Sequence, residues 1–133
     1  MLSRRQSREA VFSMIYELDY NRDYDAQTIY ENALGEREIE ENEFIKDTFF
    51  GAVEKLSEID ALIAAKSEGW NLDRISKVSR AAMRLCIYEI MCTDIPHNIA
   101  INEAIEIVKK YDDMKAKGFV NGILNAIAKD LGR

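Results

Sequence analysis

A single proline and six glycines in 133 residues leave little material for the tight turns that an all-β chain needs. Histidine occurs once and cysteine twice, as His97, Cys86 and Cys92, so a zinc site would need unusual partners, and the cysteines lack CxxC spacing. No metal or other cofactor is expected. Cys86 and Cys92 are separated on one predicted helix by a rise of about 9 Å, beyond the roughly 7 Å that a disulfide bridges. Both read as small core residues in a reducing compartment. No run approaches the roughly 18 apolar residues of a membrane span, and MLSRRQSREAVF passes from arginines straight into an amphipathic pattern without a signal core. A cytoplasmic protein without membrane contact is the expectation.

Also missing are a Gly-rich phosphate loop, a G-x-S-x-G elbow and the strand–turn–helix context that either needs. The carboxylate pairs Glu40/Glu43 and Glu103/Glu106 share helix faces, but the Glu-x-x-His partners of a di-iron bundle are not there, and solvated faces account for them. A Cys92–His97 catalytic pair is less economical than a buried cysteine beside a turn histidine. The chain reads as a binding protein, not an enzyme.

What the sequence does have is helix-forming residues at helical spacing, which makes the class all-α. Its 47% hydrophobic content supports one core, and residues 1–133 form a single domain with helical halves at about 1–70 and 71–133. A first helix is predicted over Arg4–Asp19, capped by Ser3, with Ala10, Val11, Met14, Ile15 and Leu18 on one stripe. A short helix carrying Ile29, Ala33 and Leu34 stops near Gly35. A longer stripe from Phe44 to Ala64 is one bent helix or two stacked ones, with Gly51 as the weak point, and Gly69 and Trp70 close this half. NLDRISK leads as a short helix or turn into SRAAMRLCIYEIMC, Ser79 to Cys92, apolar nearly all round and hence central. Pro96 breaks the chain and Asn98 caps the next helix. Two further stripes, Ile101–Val108 and Val120–Leu131, are separated by DDMKAKG at 112–118.

The net charge of −6 argues against nucleic acid only until its distribution is read. Residues 1–8 carry +3 through Arg4, Arg5 and Arg8, residues 9–70 carry −11, and residues 71–133 carry +2. One surface is thereby suited to an anion and another to a basic partner. Arg4 and Arg8 share a helix face with Arg5 about 100° away, so their guanidinium groups can converge on a phosphate backbone. In KKYDDMKAKGFVNG, residues 109–122, Lys109, Lys110, Lys115 and Lys117 accompany Tyr111 and Phe119. Lysines that follow phosphates and rings that stack on unpaired bases suit single-stranded RNA; membership of the core is the competing reading of the two rings.

Together, RRQSREAVFSMIYEL at 4–18, SRAAMRLCIYEI at 79–90, IPHNIAINEAIEIVKKY at 95–111 and GFVNGILNAIA at 118–128 resemble the NusB family of bacterial transcription antitermination factors. INEAIE followed by FVNG at this separation is the specific part. The resemblance implies a fold of two perpendicular three-helix subdomains that binds the single-stranded boxA element of nascent ribosomal RNA transcripts. It does so together with NusE, a small-subunit ribosomal protein, to nucleate the antitermination complex with RNA polymerase and other Nus factors. It implies RNA contacts by Arg4, Arg5, Arg8, Lys115, Lys117 and Phe119, and a NusE-facing side at Tyr16 and Ser79. Ser79 falls where some relatives carry a glutamate, and Asn125 where FVNGVLD-type sequences carry an acid. Some members pair, so a homodimer is a further expectation. Two rival readings are a helical protein-binding adaptor and an RNA-binding module related to ribosomal RNA cytosine methyltransferases. The second would need a nucleotide-binding α/β domain and a catalytic cysteine.

Overall fold

Local capping chemistry fixes where most of the helices begin. The computed structural model describes residues 2–37, 39–67 and 72–132; the expected stop at Gly69 and Trp70 lies outside them. Helix α1, Arg4–Tyr20, starts with a capping box in which the Ser3 hydroxyl accepts from the Gln6 amide and the Gln6 side chain accepts from that of Ser3. Asp25 caps α2, Ala26–Glu36, and Asn42 caps α3, Glu43–Glu54. Helix α4 spans Leu56–Lys66, and a short 3-10 helix, Leu72–Arg74, leads to α5, Lys77–Cys92, capped by Ser76. Helix α6, His97–Tyr111, is followed by α7, Met114–Leu131, which ends on Gly132 in the left-handed conformation, φ 65°. Among the described residues every regular element is helical, and no helix is long and apolar enough to cross a membrane.

Four expectations are revised. The break in the long stripe falls at Lys55, not Gly51, which lies inside α3 because the Tyr88 side chain occupies the space a Cβ there would need. Asn98 is the second residue of α6 rather than its cap; Pro96 holds the cap position with no side-chain hydrogen bond. Only Asp112 and Asp113 interrupt the last two stripes, because Asp113 caps α7 at the Ala116 amide and Lys115 and Lys117 are already helical. Cys86 is buried as expected, whereas Cys92 is exposed.

Helix α5 lies at the centre of the packing, in contact with α1, α3, α4, α6 and α7. Its buried set includes Met83, Leu85, Cys86, Ile87 and Ile90, meeting Val11, Met14 and Ile15 of α1, Phe49 of α3, and Leu124 and Ile127 of α7 in one core. Each such large side chain contributes roughly 1.5–3 kcal/mol relative to exposure. The polar interruptions Arg84 and Glu89 of α5 are buried as well, and each is partnered across the fold. The Arg84 guanidinium donates from Nε and Nη2 to the two oxygens of Asp60 on α4, at 2.8 Å each, and from Nη1 to Asp19 on α1, at 2.8 Å. This pins three helices at one point. Burial works against the Arg84 charge, but the two aspartates outweigh it and hold its pKa above the ordinary arginine value.

Candidate nucleic-acid interface

The N-terminal arginines stand where α1 meets α3, α5 and α6, and each has a different anchor. Arg4 is exposed and lies 4.1 Å over the ring of Phe44, with Arg8 5.7 Å from the same ring, so these two share a face as one helical turn requires. Arg5 points the other way. Its Nε and Nη2 donate at 3.2 and 3.1 Å to the two oxygens of Glu103 on α6 while its side chain stays 69% exposed. That geometry is a bidentate fork a phosphate could take over. Arg8 is the deepest of the three, 12% exposed. Its Nε donates at 3.1 Å to both oxygens of Glu89, a residue of α5 that is 3% exposed. Burial pushes the Glu89 carboxyl above its ordinary value, and Arg8 opposes that shift without cancelling it.

Between α1 and α6 runs a groove of about 370 Å³, lined on one side by Arg5, Arg8 and Glu9 and on the other by Glu103, Glu106, Lys109 and Lys110. Lys110 donates to Glu9 at 2.8 Å, and the Tyr111 hydroxyl donates to the same carboxylate. These two hydrogen bonds hold Glu9 below the usual carboxylate range. The groove brings Arg5, Arg8 and the first two lysines of the basic segment onto one surface, with Arg4 outside it over Phe44. Lys115 and Lys117, one turn further on, are exposed on α7.

The two rings of the basic segment differ. Tyr111 is exposed and stacked on Phe12, centroids 5.6 Å apart, so it continues a ring series along α1 through Phe12, Tyr16 and Tyr20. Phe119 is half-buried and packs against the core, and one of its sides lines a cleft of about 390 Å³ with Arg74, Ser76, Ser79, Asp112 and Lys115. Ser79 therefore lies in the same cleft as Lys115 and Phe119. It is buried, and its hydroxyl donates to Asp112 at 2.7 Å. Tyr16 lies elsewhere, on a second groove that Phe12, Ile39, Val78 and Tyr111 also line. Val78, next to Ser79, connects the two surfaces.

Sequence reasoning missed the acidic partners. Glu103, Glu89 and Glu9 sit under the basic residues from helices up to about a hundred positions away in the chain, and a local pattern carries no signal of them. Glu103, read from the sequence as part of a solvated helix face, instead pairs with Arg5 across the fold.

The NusB family model matches residues 5–129. The transcription antitermination protein NusB of Thermoanaerobacter sp. (strain X514) is 41% identical over 132 residues, covering 98% of this chain and 94% of that protein. Its counterpart in Bacillus cereus (strain B4264) is 38% identical over 131 residues, covering 98% and 100%. Among solved structures, NusB of T. maritima is similar with a TM-score of 0.86 and 40% identity over 97% of this chain and 92% of that one. A chain in the crystal structure of antitermination factors NusB and NusE in complex with double-stranded RNA is similar with a TM-score of 0.84 and 30% identity over 96% of each.

Proposed function

The chain belongs to the NusB family of transcription antitermination proteins, and on that premise we propose that it binds boxA RNA of nascent ribosomal RNA transcripts together with NusE. The observation that carries this reading is the basic surface itself. In a chain of net charge −6, Arg5 and Arg8 of α1 and Lys109 and Lys110 at the end of α6 line one groove, with Arg4 on the adjoining Phe44 face and Lys115 and Lys117 beyond it. Phosphate neutralisation by these side chains supplies salt-dependent affinity, and ring contact at Phe119 adds stacking. Arg8 contributes from the groove wall while its Nε holds Glu89. NusE occupies the side marked by Tyr16 and Ser79, so that protein and RNA meet a joint surface and each raises the other's local concentration. The acidic stretch 9–70, at −11, complements a basic ribosomal protein. The mechanism is recruitment of RNA polymerase and the other Nus factors in the cytoplasm, with no bond made or broken.

The test is binding of the full chain to labelled boxA RNA and to a scrambled control, with and without NusE, at two salt concentrations. Salt-sensitive binding that prefers boxA and tightens with NusE supports the proposal. Equal, weak binding to both RNAs in every condition favours a helical adaptor. A duplex boxA arm separates single-strand from double-strand recognition.

A further inference from the structure

Asp112 ends α6, and its carboxylate is the meeting point of three hydrogen bonds. The hydroxyls of Ser76 and Ser79 both donate to its Oδ2, the latter at 2.7 Å, and the Asp113 amide donates to its Oδ1 at 2.8 Å. Those donors strengthen the charged form and hold Asp112 below the usual aspartate range, although burial alone pushes it up. Ser76 is at the same time the cap of α5, accepting from the Ser79 amide at 3.0 Å, and Asp113 is the cap of α7. One side chain therefore ties the start of α5, which bears the NusE-side residue Ser79, to the two-residue turn before α7. The first turns of α7 carry Lys115, Lys117 and Phe119. Asp112 adds a negative charge to the lysine-bearing edge, which nonspecific RNA affinity alone would not favour.

We propose that Asp112 is a positioning residue for RNA recognition, fixing the start of α7 against α5 so that Lys115, Lys117 and Phe119 are set before RNA arrives and NusE contact beside Ser79 is felt in that turn. The inference rests on the boxA reading above. Its physical content is preorganisation: a turn held by three hydrogen bonds has little freedom left for RNA binding to remove, whereas a released turn is ordered at the expense of affinity. Because the buried Ser79 Oγ reaches the same carboxylate oxygen as Ser76 Oγ, a partner packed on the adjoining half-buried Val78 alters how the turn is held, which gives a route for coupling between the two sites.

The experiment compares Asp112→Ala, Ser79→Ala and the double variant with the parent chain. It measures boxA affinity with and without NusE, and amide hydrogen exchange of residues 114–119. Ser79→Ala keeps the Ser76 cap and the helix amides, so it separates the clip from the folding of α5. Expected are faster exchange at 114–119 in both single variants and boxA affinity lowered roughly five-fold or more in Asp112→Ala, although an acid has been removed. The double variant is no worse than Asp112→Ala, and the tightening by NusE is reduced in all three. A purely structural role would leave the tightening by NusE at its parental size. Unchanged exchange in both single variants, or tighter boxA binding by Asp112→Ala as simple charge removal demands, overturns the proposal. A parent chain that ignores boxA refutes the functional reading instead, and exchange still decides whether the clip holds the turn.

Discussion

Arg8 and Arg5 are three residues apart on α1, yet their replacement by alanine has different consequences. Arg8→Ala leaves the Glu89 carboxylate, 3% exposed, without the guanidinium that pairs with it. Removing one member of such a buried pair costs about 3 kcal/mol or more, because the remaining charge stays desolvated. At about 2.1 cal/mol/K of unfolding entropy per residue, a 133-residue chain loses roughly 10 °C in melting temperature for that amount. The loss depends on pH with a definite sign. Glu89 already has a raised carboxyl in the folded chain, so protonation favours the folded over the unfolded state. Its contribution is fully present below the unfolded carboxyl value, about 4.3, and is lost as pH rises through the folded value. Arg8 opposes that upward shift, so its removal widens the window, and the variant recovers stability on acidification by protonating Glu89. Calorimetry at pH 7.5 and pH 5 therefore shows a large deficit at the first and a smaller one at the second. Glu89→Gln in the Arg8→Ala background restores more than half of the pH 7.5 loss. A deficit under about 2 °C, or one of equal size at both pH values, refutes the reasoning.

Arg4→Ala and Arg5→Ala change melting by no more than a surface substitution, within about 0.5 kcal/mol, but each weakens boxA binding and lowers the salt slope by about 0.7 per lost phosphate contact, measured by titration at several salt concentrations. Arg84→Ala takes the bidentate partner from Asp60 and leaves Asp19 with Arg80 at 3.6 Å at the α1–α4–α5 junction, and costs about 3–5 kcal/mol in urea denaturation. Arg84→Lys loses less, since one ammonium keeps the charge without the bidentate fork. Gly51→Ala and Gly122→Ala, both helical, separate packing from propensity. The first forces the Tyr88 ring aside and destabilises by about 1 kcal/mol or more, whereas the second meets nothing within 4 Å and gains up to about 1 kcal/mol. Thermal unfolding of the pair checks the opposite signs.

The parts of this fold legible in the sequence are those governed by neighbours a few residues apart. The Ser3 cap, the α1 stripe and the central place of α5 follow from spacing and local hydrogen bonding, and Val11, Met14, Ile15 and Ile87 are buried accordingly. Gly51 shows where that logic stops. A glycine in a helical stripe signals weakness when read locally, but here the absent Cβ makes room for Tyr88, a residue 37 positions later, and the helix yields instead at Lys55, among residues with ordinary helix propensity. The candidate interface divides in the same way. Placing Arg4 and Arg8 on one face needs only the helical repeat, and both lie near the Phe44 ring. That Arg5 rests on Glu103, and Arg8 on a buried Glu89, depends on how α1 crosses α5 and α6, 81 to 98 residues away in the chain. A count of arginines treats the three as equivalent cations, whereas the crossing gives Arg8 a buried counter-ion and leaves Arg4 and Arg5 the more exposed. The charge pattern alone permits an anionic ligand; the tertiary pairs decide which side chains can reach it without unfolding the protein.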